Sequence, residues 1–135
     1  MQVICELCGR KEEYDPAKWR CDCGGAWLLY ASPSLQIGSI DKENRSIWRY
    51  GSFFPVQLSK KPVSLGAGFT PLLPCTFYGR EVFLKLDYLM PTGSFKDRGV
   101  ELMMNVLDAY GVDSITEDSS GNAGASAAAY AARLG

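Results

Sequence analysis

The residues best placed for chemistry in this sequence are four cysteines and one lysine. Cys5-x-x-Cys8 is followed by Gly9, Cys21-x-Cys23 is followed by Gly24 and Gly25, and residues 9 to 20 separate the pairs. Two close thiolate pairs on glycine turns can offer four sulfurs to one tetrahedral ion. Gly9 and Gly24 let the backbone turn sharply, so both sulfurs of a pair can face that ion. With no open coordination position, the expected metal, zinc, is structural and not catalytic. The second pair is tighter than the usual knuckle spacing, and the alternative reading is a set of reduced buried thiols. Cys75, alone between Pro74 and Thr76, reads as a small buried hydrophobe.

Lys96 lies in PTGSFKDRG, at the expected first turn of a helix. The positive helix end disfavours its charged form, and the apolar neighbours Phe95 and Val100 are expected to desolvate it. Both effects favour the neutral amine that attacks an aldehyde. SSGNAG, residues 119 to 124, is a second turn leading into a helix. Its free N–H groups form an anion cradle, and Gly121 allows close approach.

The elements that must position these residues can be read from periodicity. EVFLKLD, residues 81 to 87, alternates as a strand does. Residues 95 to 110 place apolar side chains at 95, 103, 106, 107 and 110, a helical spacing, with Ser94 to cap the start and Gly111 to end it. SITEDS, 114 to 119, reads as a weak second strand, and an alanine-rich helix runs from near Asn122 to Gly135. Strand, helix, strand, helix predicts a parallel α/β arrangement. Its two turns would open at the same crevice, where open α/β folds bind ligands. So few strands cannot complete such a sheet, which implies the start of a longer protein with apolar surface exposed at Met103, Val106 and Leu107. The composition divides the chain into a cysteine-rich segment, 1–31, an irregular connecting arm, 32–74, and a regular α/β segment, 75–135.

Several function classes are excluded. With no histidine among 135 residues, Ser–His and Cys–His catalysis are impossible within this chain. A net charge of −1 removes the usual driving force for nucleic-acid binding. The uncharged run Pro62–Gly79 contains three prolines, so it is no membrane helix. Glu6 and two cysteines occupy the place where a signal peptide needs an apolar stretch, which points to the cytoplasm.

Three strings together carry a family resemblance. Gly66-x-Gly68-x-Thr70-Pro71-Leu72, then FLKLDYLMPTGSFKDRG, then SSGNAGASAAAYAARLG resemble the fold-type II pyridoxal-phosphate enzymes. The cysteine segment and SIWRY narrow the resemblance to the threonine synthase family, across essentially the whole chain. Ala67 and Met90 depart from the family's usual glutamate and asparagine. The resemblance implies that Lys96 covalently carries pyridoxal phosphate and that Asn122 hydrogen-bonds its ring 3′-oxygen. It also implies that Ser119, Ser120, Gly121 and Ala123 hold the carboxylate of an amino-acid substrate. The implied reaction converts O-phosphohomoserine and water to threonine and phosphate. Cysteate synthase, threonine dehydratase and related β-replacing or eliminating enzymes share the fold and the lysine. In the family the phosphate cup and ring-nitrogen partner come later in sequence, so these residues alone are expected to be inactive, and the full-length protein is expected to be a homo-oligomer, commonly a dimer. A reading from another class is a non-catalytic zinc-ribbon interaction module.

Overall fold

In the computed structural model, residues 1–30, 34, 36–56, 58 and 60–135 are described. The boundary expected near residues 31 and 32, and positions 33, 35, 57 and 59 of the expected arm, lie outside them. The first unit is a small antiparallel sheet of β1 (Gln2–Cys5), β2 (Lys11–Glu13) and β3 (Trp27–Leu29), in the order β2-β1-β3. Alternation along β1 buries Val3 and Cys5 and leaves Gln2 exposed, as a half-covered strand requires.

The connecting segment is more than a linker. A 3₁₀ turn spans Ile47–Phe53, and Ser46 caps it by accepting from the Trp48 N–H at 3.2 Å. Ile47 and Ala67 are buried in the main core with Met90, Val100, Met104, Ala127 and Tyr130. The Ile47 N–H donates to the Ala67 carbonyl at 2.7 Å, which brings SIWRY against the glycine segment.

The strand expected at 81–87 is present as β5 (Arg80–Lys85), but its pairing corrects the parallel arrangement. It forms an antiparallel hairpin with β4 (Leu72–Phe77), in register from Leu72 opposite Lys85 to Phe77 opposite Arg80. Tyr78 and Gly79 both have positive φ, +48° and +73°, the mirror-image turn whose twist matches a hairpin. Residues 114–119 form no strand and are mostly exposed. A strand needs a ladder, and no described segment pairs with them. Cys75 is half-buried in β4, so it is not a core residue.

Both expected helices form, as α1 (Lys96–Ala109) and α2 (Asn122–Leu134). α1 ends as expected at Gly111, φ +74°, where the Val112 N–H reaches the Leu107 carbonyl and the Gly111 N–H that of Asp108. The buried face of α1 differs from the apolar spacing. Asp97, Val100, Glu101, Met104, Asn105 and Val106 are buried, whereas Phe95, Met103 and Tyr110 are exposed. The reason is polar: α2 supplies hydroxyl donors that satisfy α1's inward carboxylates. Val106 and Leu107 are likewise not the open surface that was expected. With Met103 they line a depression shared with Val3, Trp27 and Leu29 of the first sheet. Tyr14 meets Tyr110 edge to face at 5.2 Å at that contact. No helix among the described residues is long and apolar enough to cross a membrane.

Candidate functional site

Lys96 begins α1 directly after a tight turn in which Gly93 has φ +79°. Ser94 sits two residues before it and accepts the Lys96 N–H through Oγ at 3.3 Å. The lysine side chain is exposed, so the desolvation expected from Phe95 and Val100 is not provided by this chain: Phe95 is itself 58% exposed and Val100 faces the core. Lys96 Nζ lies 5.1 Å from the Phe95 ring centroid and has no hydrogen-bond or ion-pair partner among the described residues. Lys85 differs, because its ammonium is tied to the Thr70 carbonyl. An open, uncompeted amine fits a group that arrives as an aldehyde.

Two buried carboxylates set where that amine sits, and periodicity did not reveal them. Asp97 is fully buried and accepts from the Thr92 N–H at 2.8 Å, the Thr92 hydroxyl at 2.5 Å and the Ser126 hydroxyl at 2.5 Å. One turn on, Glu101 is equally buried and accepts from the Tyr130 hydroxyl at 2.7 Å, Trp48 Nε1 at 2.6 Å, Ser64 Oγ at 2.7 Å and the Ala67 N–H at 3.2 Å. Burial, with Glu101 accepting its hydroxyl, pushes the Tyr130 phenol above its ordinary range. Asp97 pairs with Ser126 and Glu101 with Tyr130, each pair four residues after the last. α1 and α2 therefore run in the same direction, with their positive N-terminal ends together. A signal existed in the sequence, acids four apart on a helix, but it is indistinguishable there from a solvated face.

The loop before α2 opens that helix at the same end of the pair at which Lys96 opens α1. Ser120, Gly121 and Asn122 are exposed, Ser119 and Ala123 half-buried. The Gly121 N–H is taken by Ser119 Oγ at 3.1 Å, while the next N–H groups have no acceptor among the described residues. A Cβ at Gly121 would meet nothing within 4 Å, so the space above the cradle is open. An exposed amine on one helix start and free N–H donors on the neighbouring start fit an aldehyde cofactor and a substrate carboxylate.

Asp87 anchors α1 through Arg98. Arg98 holds it in a two-point grip, Nε at 2.8 Å and Nη2 at 2.7 Å, and the Thr70 hydroxyl donates at 2.7 Å. The Arg98 hydrogen bonds, helped by Thr70, hold the Asp87 carboxyl down at about 2 against the effect of partial burial. Ala67 and Met90, the two departures from the family pattern, belong to one buried cluster, and Met90 Sδ accepts the Gly68 N–H at 3.2 Å. They are apolar neighbours, so each suits the other.

The four cysteines come together away from the lysine. All four sulfurs lie within 4.8 Å of one another, with Cys5 to Cys23 at 3.4 Å and Cys8 to Cys21 at 3.7 Å. Four sulfurs at about 2.3 Å from one ion would be about 3.8 Å apart, so the donor set fits a tetrahedral metal. Gly9 and Gly24 have φ of +71° and +89°, as the turns require. Gly25 adds a constraint not foreseen: a Cβ there would lie 2.6 Å from Cys5 Sγ. The Cys8 backbone N–H draws the Cys5 thiol down to about 6. Cys23 is pushed up to about 12, because the Cys5 and Cys8 sulfurs outweigh the Gly25 N–H that favours its thiolate.

Comparison with known proteins agrees with the lysine end of the molecule. The family described as "Pyridoxal-phosphate dependent enzyme" matches residues 63–135, more than half of the chain. The chain belongs to this family of pyridoxal-phosphate-dependent enzymes. Within it, the chain is 35% identical over 141 residues to a threonine synthase of Methanocaldococcus jannaschii, covering 97% of this chain and 35% of that protein. It is 30% identical to a threonine synthase of Methanosarcina acetivorans, covering 97% and 34%, and 43% identical over 91 residues to one of Bacillus sp., covering 64% and 26%. The chain thus spans about a third of the length of the first two relatives. No solved structure matches it.

Proposed function

We propose that this chain supplies the cofactor lysine and the substrate-carboxylate loop of a threonine-forming enzyme, which converts O-phosphohomoserine and water to threonine and phosphate. The observation that carries the reading is the free Lys96 amine at the paired starts of α1 and α2. Lys96 would attach pyridoxal phosphate, and Asn122 would hold its ring oxygen. When bound, that cofactor supplies an electron sink for negative charge at the substrate's α and β carbons. The Ser119 and Ser120 hydroxyls and the Ala123 N–H would bind the substrate carboxylate, joined by the Gly121 N–H once it leaves Ser119 Oγ, and so orient its carbons towards Lys96. Lys96 Nζ would take and return protons at those carbons. Asp97, bonded to Thr92 and Ser126, keeps the lysine's turn in register with the carboxylate loop.

The cysteine cluster completes the reading as a structural zinc site, with Cys5, Cys8, Cys21 and Cys23 as ligands. A closed four-sulfur site leaves no position for substrate.

Excess pyridoxal phosphate followed by borohydride reduction and peptide mass mapping tests the assignment. The pyridoxyl mass is expected on Lys96 ahead of every other lysine, and it disappears in Lys96→Ala. Labelling centred on Lys85, or spread evenly over the surface lysines, would overturn it.

A further inference from the structure

A cleft of about 530 Å³ opens between the SIWRY turn and the GAGFTPL segment, two strings that the proposed chemistry does not use. Arg49, Tyr50, Phe69, Thr70, Lys85 and Arg98 line it; neither Lys96 nor the loop 119–123 does. Its charge is concentrated and partly uncommitted. Arg98 is neutralised by Asp87. Lys85 gives one donor to the Thr70 carbonyl and keeps others. Arg49 is the telling residue: its Nε and Nη1 atoms are buried and have no hydrogen-bond partner among the described residues. Buried guanidinium N–H groups without an acceptor are costly and rare, and each such group calls for an acceptor.

Arg49 is also held in place for one. Its guanidinium lies 4.6 Å from the Phe69 ring centroid and 5.5 Å from that of Tyr50. Phe69 pays for this with a left-handed backbone, φ +51°, which a bulky side chain rarely adopts. Strain of that kind is retained where surrounding structure enforces it, and such places cluster at binding sites. The enforcement is visible here: a Cβ at Gly68 would lie 2.6 Å from Ile47 N, so only glycine permits the approach that brings Phe69 under Arg49.

We propose that this cleft binds a phosphate group, received on the edge of Arg49 with Lys85 as the second uncommitted cation. Two positive charges remain after Arg98 is paired with Asp87, which matches a phosphate dianion better than a carboxylate. The planar Arg49 fork suits adjacent phosphate oxygens, and the Tyr50 hydroxyl is a further donor. The site stands whether or not Lys96 carries the cofactor.

The test is an NMR titration of the ¹⁵N-labelled chain with inorganic phosphate, with acetate at equal ionic strength as the monoanion. Phosphate should move the Arg49 Nε–Hε signal and the Gly68 and Thr70 amides saturably. Arg49→Gln should weaken this binding at least about tenfold, the loss of a charged hydrogen-bonding partner, and acetate should bind about as weakly as phosphate does to that variant. O-phosphoserine distinguishes the source: tighter binding than inorganic phosphate means that the group arrives on an amino acid, and equal binding means free phosphate. Should Arg49→Gln lose its dispersed spectrum, Arg49→Lys keeps the charge without the fork, and the wild-type Nε signal decides alone. The proposal is overturned if phosphate leaves that signal unmoved, if only the amides of 121–124 respond, or if acetate binds as tightly.

Discussion

Asp97 follows Lys96 directly and shares none of its exposure. Among the described residues its carboxylate has no cation beside it, and it is held by three donors, two from Thr92 and one from Ser126. Removing a buried acceptor strands its donors, so Asp97→Ala should destabilise the chain by about 2–4 kcal/mol in denaturant unfolding. Asp97→Asn keeps the shape but loses acceptor capacity. If Asp97 registers the two turns, pyridoxyl labelling of Lys96 should drop in that variant although Lys96 is intact. Unchanged labelling in a folded Asp97→Asn protein would leave Asp97 a purely structural group. By contrast, Lys96→Ala should alter stability by no more than about 0.5 kcal/mol, since its side chain is exposed and has no ion-pair or hydrogen-bond partner among the described residues.

At the scale of elements, the hairpin is pinned to α1 through Asp87, Arg98 and Thr70. The folded Asp87 carboxyl sits at about 2, below its usual value near 4 in an unfolded chain. A depressed acid stabilises the fold when ionised. That contribution is therefore fully present above about pH 4 and is lost as the pH falls towards 2. Because the pair is partly exposed, the contribution is about 1–2 kcal/mol. Asp87→Asn should lose this increment at pH 7 and show a flatter stability profile between pH 4 and 2; a profile parallel to the wild type would show that Arg98 adds nothing. The helices themselves were legible in the sequence, including both ends. Their contact faces were not. Apolar spacing selected 95, 103, 106, 107 and 110, whereas the α1–α2 interface is built on Asp97, Val100, Glu101 and Met104 with Ser126, Ala127 and Tyr130 opposite. A carboxylate becomes a core residue only when specific donors converge on it, and those donors lie 29 residues away for Asp97–Ser126 and 53 for Glu101–Trp48.

For the whole molecule, the cysteine-bearing sheet and the lysine-bearing helices meet at Tyr14, Tyr110 and the depression beside Met103. The sheet is too small to bury a core of its own, so its order should depend on the metal proposed for its four cysteines. Cys21→Ser, or a chelator, should release zinc and raise amide exchange through residues 1–30, while α1 and α2 keep their protection. Gly25→Ala should act in the same direction, because its Cβ would press on Cys5 Sγ. Protein prepared without chelator or oxidant that carries no zinc would overturn the metal assignment.

What the sequence determined by itself is local: the cysteine pairs and their glycines, the lysine at a helix start, the donor loop, and the extents of both helices. These follow from backbone preferences and short spacings, which act over a few residues. Tertiary structure alone decided the rest. It paired β5 antiparallel to β4, left 114–119 without a strand, joined the starts of α1 and α2 through Asp97 and Ser126, and laid Arg49 on Phe69. Each of these depends on which distant group meets a donor, a charge or a ladder edge, and no short window of sequence contains both partners.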